Sequence, residues 1–489
     1  MLKLLSDDHI RRIHYATLDI MENVGVKFSL PEAQAVFRDA GLDVDDSGVV
    51  SFRPDVVEEA IRRTPPRFTR YPIADTARPV EMGDGGFHMS PGSTVLRVLD
   101  LESGKKRAAV LDDIVDFARL GDALPNFSLG NGVVWAQDVP PSVFHAVYFE
   151  ALVKNCGKPT PGGDILSPQI GRDLMELCGI VLGGREGMRR KKTYTFSACP
   201  ANALLWGETV YAILAAAEAG MPSHILPTPF SGSTHPVTLA GTLVQCNAEI
   251  LSIVVLVQLI RPGAPVIYAP YCGIMDMKFA NHSWGCPEAA LLSAAVAQLC
   301  RHYEIPSDTI AGASDSKVPD GQAAFEKMMC VLLPALAGSD CCTLFGGLLE
   351  LDDYAAYEQL VIDNEIAGNI LRILDGIEVD EERLAVEVIA RVGHGGNFLD
   401  LEHTAKHYRS EHYLPQLADR GSRGAWEAKG AKDLAERARA VARDILRSHT
   451  PTHMSEDMQQ ELEGAVRAIC RREGVDYTPI RVGPKEQDR

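Results

Sequence analysis

The 489-residue chain predicts an α/β fold, a (β/α)8 barrel with helical extensions at both ends. Three observations carry this expectation. Short apolar or β-branched runs ending in Gly, Pro, Ser or Asp alternate with longer helical stretches, the signature of βα units around a parallel sheet. Hydrophobic residues make up 46% of the chain, enough for one large core. No GxGxxG or GxxxxGK[ST] loop is present, although an open doubly wound sheet would usually carry one after its first strand.

The elements follow in order. Ser6 caps a helical pattern in which Ile10, Ile13, Thr17, Ile20 and Val24 recur at three- and four-residue steps until Gly25. A second helix begins near Pro31, and short turns follow Pro65 and Pro66. The run Gly83, Asp84, Gly85, Gly86 marks a boundary, so residues 1–85 form a helical N-terminal extension. Residues 86–400 hold the barrel. Its candidate strands are Phe127–Trp135, Thr160–Asp164, Thr193–Cys199, Ser223–Pro229, Pro265–Tyr271, Asp308–Ala313 and Cys341–Phe345. Helices fit between them at Ser142–Asn155, Asn202–Ala219, Thr238–Ile260, Pro287–Tyr303 and Gly321–Ala337. An eighth strand must close the ring, from either Phe87–Ser90 or Asn397–Leu401. Residues 401–489, rich in Ala, Arg and Glu, read as a helical C-terminal cap, with disorder expected from Pro484 to Arg489.

The formal charge of -18, from 66 acidic and 48 basic residues, disfavours a nucleic-acid partner and suits a protein that attracts cations. The basic run Arg189–Lys192 reads as a solvated turn. Eleven cysteines without CxxC spacing point to reduced thiols, away from a zinc ribbon or a disulfide framework. Met1–Ile10 gives no export signal. Leu251–Ile260 is apolar, but Gln258 interrupts it and Arg261 and Pro262 end it, too short to span a bilayer. A cytoplasmic location and no membrane partner are expected.

A barrel of this type places its chemistry at the C-terminal ends of its strands. Polar residues just after each apolar run are therefore candidates: Gln137 and Asp138; Ser197 and Cys199; Ser231, Ser233, Thr234 and His235; Tyr271 and Asp276; Ser314, Asp315 and Lys317; and Glu350. The stretch Gly312–Lys327 is the richest, with Asp320 as its helix N-cap. Asp315 and Lys317 either bind substrate or pair across a structural turn. Trp135, Trp206, Phe230, Tyr268, Tyr271 and Phe345 fall near strand ends, where several rings together suit a cation cage, although each alone reads as core. His403 and His407 share a helix face, but Thr404 stands where a metalloprotease needs Glu, and no metal site is expected. Cys341 and Cys342 point to opposite faces of one strand, and packing is their reading. No G-x-S-x-G elbow occurs, and no Ser, His and Asp set can be assembled from sequence distance.

Six segments, in order, resemble the trimethylamine methyltransferase family: His235–Leu251, Arg261–Pro270, Gly285–Pro306, ASDSKVPDGQAAFEK, Leu360–Gly368 and Gly395–Arg420. The resemblance covers nearly the whole chain and implies a (β/α)8 barrel that moves a methyl group from a methylated amine to the cobalt of a separate corrinoid protein. Archaeal trimethylamine enzymes of the family carry pyrrolysine, whereas this chain has only standard residues. It is similar to the branch that demethylates glycine betaine and other quaternary amines. A quaternary nitrogen leaves as a neutral amine, so no proton need be supplied.

On this reading no cofactor is bound by the chain itself, which acts on a cobalamin (corrinoid) carried by its cognate partner protein, and a homo-oligomer is expected. Asp315 and Glu249 are the candidate charge partners, although Glu249 lies inside a helix and suits a capping or pairing role equally. His235 and Lys317 are candidate carboxylate or positioning donors, Tyr271 and Phe345 cage rings, and Gln137 and Asp276 further strand-end candidates. Two alternatives stand beside it: a barrel lyase or aldolase using Lys317, and a catalytically silent homologue that binds the corrinoid protein. Glycine betaine, proline betaine, carnitine, γ-butyrobetaine and choline are not distinguished.

Overall fold

The computed structural model describes residues 2–92 and 94–485, so the last four residues of the tail expected to be disordered lie outside the described residues. Its centre is a set of short parallel strands wrapped by helices, a mixed α/β fold. Four strands pair in the order Val266–Tyr268, Ser223–Ile225, Tyr194–Ala198 and Thr160–Pro161. Cys341–Gly346 pairs in parallel with His88–Pro91. Parallel bridges Tyr268↔Ser307 and Asp308↔Cys341 join the two groups on one side. On the other, the Leu129 N–H donates to Met89 O at 3.2 Å and the Gly130 N–H to Pro159 O at 3.0 Å. The regular ladders therefore fall into separate sheets, and no single sheet among the described residues holds eight strands.

Of the two candidates for the closing strand, Phe87–Ser90 coincides with His88–Pro91, whereas 397–401 is turn. The stretch 127–135 forms no regular strand. Val133 sits at φ 63, and only the bridge Val95↔Val134 forms there, because a left-handed residue takes its neighbours out of ladder geometry. The helices Pro287–Tyr303 and Gly321–Ala337 match the sequence expectation, and the Asp320 carboxylate accepts from the Ala323 N–H at 3.1 Å. The predicted helix Asn202–Ala219 begins only at Val210. Its first part is the strand Leu205–Trp206, preceded by Leu204 at φ 50.

That strand completes a sheet in the N-terminal extension, which is thus not wholly helical: Leu205–Trp206, Val26–Phe28, Val49–Ser51 and Asp43–Val44 lie side by side. Helices Asp7–Asn23 and Pro54–Arg63 pack on Leu239–Ile260, the long apolar helix that the sequence places at Thr238–Ile260. At 22 residues it is long and apolar enough to cross a membrane, yet 78% of its apolar window is buried inside the structure. The basic run lies largely in the helix Gly184–Lys191, with Lys192 at φ 47 ending it, instead of in a turn. At the other end, helices Leu434–Ser448 and Glu456–Arg472 cover Leu111–Ala123, Pro141–Asn155 and Pro168–Leu182. Buried Arg119 ties them down by donating to Leu446 O at 2.8 Å and His449 O at 2.5 Å.

Candidate functional site

A cavity of about 660 Å³ opens at the C-terminal ends of the parallel segments. Alternation selects its lining: along Tyr194–Ala198, Thr195 and Ser197 face the cavity while Tyr194, Phe196 and Ala198 pack outward into the core. The same logic brings in Ser90, Thr160, His224, Asp308 and Thr343 from neighbouring segments. Arg70 reaches the floor from the hairpin Phe68–Arg70 and Val80–Met82. Its Nη2 donates to Thr160 O at 2.9 Å and Thr193 O at 3.1 Å. Burial pushes its guanidinium down to about 10, with the charge of Asp308 acting in the opposite sense.

Three side chains on the floor form one chain of hydrogen bonds. Ser197 Oγ lies 2.9 Å from His224 Nδ1, and His224 Nε2 lies 3.0 Å from Asp308 Oδ2. Asp308 is held in turn by Thr343, whose N–H donates to Oδ1 at 2.9 Å and whose hydroxyl donates to Oδ2 at 2.6 Å. The residues are 27 and 84 positions apart, which is why sequence distance could not assemble them.

The walls are aromatic and acidic. Trp135 stacks on Phe144 with centroids 3.8 Å apart, and Phe144 stacks on Tyr148 at 5.5 Å. Opposite in character, Tyr271 stacks on Trp284 at 3.7 Å and its hydroxyl donates to Asp352 Oδ2 at 2.5 Å. Burial pushes the Asp352 carboxyl up to about 6, and its Oδ1 has no hydrogen-bond partner. Asp164 sits among protein atoms yet is open to the cavity, and it makes no hydrogen bond or ion pair among the described residues. Desolvation raises its carboxyl as well. Three carboxyl groups thus face the cavity against one guanidinium, with rings between them, an arrangement suited to a small organic cation.

The residues singled out from sequence are distributed unevenly. Tyr271 lines the cavity. Asp315 lies behind it: its carboxylate accepts from the Ser283 hydroxyl and from the Trp284 and Gly285 N–H groups at 3.1 and 3.3 Å, so it fixes the tryptophan on which Tyr271 stacks. Lys317 is exposed and donates to Asp315 O at 2.7 Å. Glu249 and His235 are together but away from the cavity. They are buried 3.3 Å apart, and Glu249 Oε1 accepts from the Leu204 N–H and from Gln245 at 3.0 Å each. Phe345 packs against Phe127 and Gly312, with Lys327 Nζ 5.3 Å from its ring centroid. Gln137 donates to Leu96 O at 2.5 Å, and Asp276 Oδ1 caps the hairpin turn at Lys278 and Phe279. His407 bonds Glu382 at 3.0 Å, and no group of metal-ligating residues occurs among the described residues.

The fold and the sequence both have relatives. In fold, the chain is similar to the monomethylamine methyltransferase MtmB of Methanosarcina barkeri, with TM-score 0.53 at 11% identity, covering 90% of this chain and 86% of that one. In sequence, it is 36% identical over 476 residues to the trimethylamine methyltransferase MttB of Methanosarcina barkeri, covering 95% of this chain and 94% of the relative. It is 33% identical over 465 residues to the glycine betaine methyltransferase of Desulfitobacterium hafniense (strain Y51), covering 95% and 96%. The model of the trimethylamine methyltransferase (MTTB) family matches residues 1–473, and the chain belongs to that family of methyltransferase enzymes.

Proposed function

We propose that the protein takes a methyl group from a small quaternary amine, a betaine or a close relative, and delivers it to the Co(I) of a separate corrinoid protein. The observation that carries this reading is the cavity itself, where the Trp135, Phe144, Tyr148 and Tyr271 rings meet the Asp164, Asp308 and Asp352 carboxyls. The bridges and backbone bonds between the parallel segments support a closed (β/α)8 barrel, with stretches near 129 and 308 completing the eight staves.

On this reading the methyl acceptor comes from outside the chain. Cys199 is the thiol at the cavity, and burial pushes it up to about 12, so it is no thiolate near neutrality. Both nitrogens of His224 are engaged in hydrogen bonds. The docked corrinoid supplies the nucleophile, while this chain's residues hold the cation, turn one methyl toward the mouth and keep water away. A quaternary nitrogen leaves as a neutral amine, and no acid is required of the cavity. The Asp352 carboxyl, which burial pushes up to about 6, binds the cation without trapping it, since the positive charge on nitrogen fades as the carbon–nitrogen bond breaks. Lys317 lies outside the cavity with its amine bonded to a carbonyl, which removes the support for a Schiff-base reading. A cytoplasmic homo-oligomer remains part of the proposal.

Calorimetry tests the cation site directly, with a quaternary amine against its carbon isostere, in which the nitrogen is replaced by carbon. The charged compound is expected to bind about tenfold more tightly. Equal affinity for the two overturns the reading.

A further inference from the structure

We propose that the cavity floor is a receptor for an anionic tail on the substrate, and that the Ser197, His224 and Asp308 chain takes up one proton when that tail binds. The inference rests on the reading of the cavity as a quaternary-amine site, and it narrows the substrate to a zwitterion.

The starting point is the direction of the hydrogen bonds. Asp308 already accepts two bonds from Thr343, and an ionised carboxylate is an acceptor only, so His224 Nε2 carries the proton in its 3.0 Å contact. In a neutral ring Nδ1 is then the acceptor, and the Ser197 hydroxyl points its proton at His224 across 2.9 Å. In that state the Ser197 oxygen offers the cavity only lone pairs, which repel a carboxylate. One more proton reverses the outer bond. Nδ1–H donates to Ser197 Oγ, and the hydroxyl proton turns into the cavity, where it donates to the incoming anion. Asp308 stabilises the imidazolium so formed, and the new positive charge matches the new negative one.

Arg70 decides for an anion over an alcohol. It is the one Lys or Arg side chain lining the cavity among the described residues, and its described hydrogen bonds go only to the Thr160 and Thr193 carbonyls. An alcohol tail would donate to the Ser197 lone pairs with no proton taken up, and would leave that guanidinium charge unused. The charged and titratable groups facing this cavity besides His224 are Asp308 beside it, Arg70 on the floor, Asp164 and Asp352 along the wall, Cys199, Tyr148, Tyr271 and His145. The His145 Nε2 bonds Asp173 and its Nδ1 has no partner, so loss of the uptake in His224→Gln is what assigns the proton to His224. Cys341 lies behind Asp308 with its thiol held neutral by burial.

Calorimetry on the full chain near pH 8, in two buffers of different ionisation enthalpy, reads the proton directly. Glycine betaine is expected to bind with uptake of about one proton per site, and choline with none. Ser197→Ala should weaken glycine betaine about tenfold or more, and choline, which loses only a neutral hydrogen bond, by clearly less. Ser197→Thr, which keeps a hydroxyl, should restore the difference, and His224→Gln should abolish the uptake. Betaine binding without proton uptake by the wild-type chain overturns the inference and leaves the cation site standing. Equal weakening of both probes by Ser197→Ala does the same. If neither probe binds, the inference falls, while the quaternary-amine reading is judged by the charged compound against its carbon isostere.

Discussion

Replacing Tyr271 by Phe removes one oxygen and keeps the ring stacked on Trp284, so its effect isolates the 2.5 Å hydrogen bond to Asp352. Burial is the main reason that Asp352 stands at about 6, and the hydrogen bond from the Tyr271 hydroxyl is the main interaction holding it down. A hydrogen bond to a charged group contributes about 1.5–3 kcal/mol. Its loss therefore lifts the Asp352 carboxyl further above the usual carboxylate range. The sign follows from linkage. A carboxyl raised above its unfolded value contributes stability that is complete below about pH 4 and is lost as pH rises through the folded pKa. The variant should therefore be destabilised little near pH 5, where Asp352 is mostly neutral in both proteins, and by about 1.5–3 kcal/mol near pH 8. Denaturant unfolding of both proteins at the two pH values measures this difference. A penalty that is the same at both would refute the coupling of Tyr271 to an ionising Asp352.

Other perturbations test the scaffold and the walls. Lys327 Nζ lies 3.1 Å from Asp363 with neither side chain exposed, and it also donates to Gly312 O and Phe345 O. Lys327→Met leaves the buried Asp363 carboxyl without its counter-charge, held only by the Gly347 N–H and the Gln359 amide, and should cost about 3–5 kcal/mol in denaturant unfolding. Gly312 stands at φ +91 with the Phe345 ring 2.5 Å from where a Cβ would sit, so Gly312→Ala should cost about 1–3 kcal/mol by the same measurement. Trp135→Ala removes the ring stacked on Phe144 and should weaken quaternary-amine binding about threefold to thirtyfold in calorimetry.

The alternation of strand and helix was legible wherever the pattern was long. The 17-residue helices Pro287–Tyr303 and Gly321–Ala337 each follow a clear N-terminal signal, Pro287 at the first position or Asp320 as cap. Leu205–Trp206 was not legible, because two residues carry no period and their partner, Val26–Phe28, lies far away in the chain. The cavity was visible in part for a related reason. Ser197 and Tyr271 follow apolar runs and could be singled out, as could Trp135 by its chemistry. Arg70 sits on a hairpin before the alternation begins. Asp352 occupies a turn in which Glu350, Leu351 and Asp352 all have positive φ, with nothing in their side chains to announce it. Asp315 and Glu249 drew notice as carboxylates in resonant segments, and the structure gives both of them backbone N–H groups to satisfy.

The central claim is methyl transfer from a quaternary amine to an external corrinoid, and its most direct measurement is the cobalt spectrum. The protein is mixed anaerobically with its corrinoid protein reduced to Co(I) and a panel of quaternary amines, glycine betaine among them. The account predicts conversion of Co(I) to methyl-Co(III) with at least one zwitterionic member, with equimolar tertiary amine released. No spectral change with any quaternary amine, or conversion with trimethylamine alone, would contradict it.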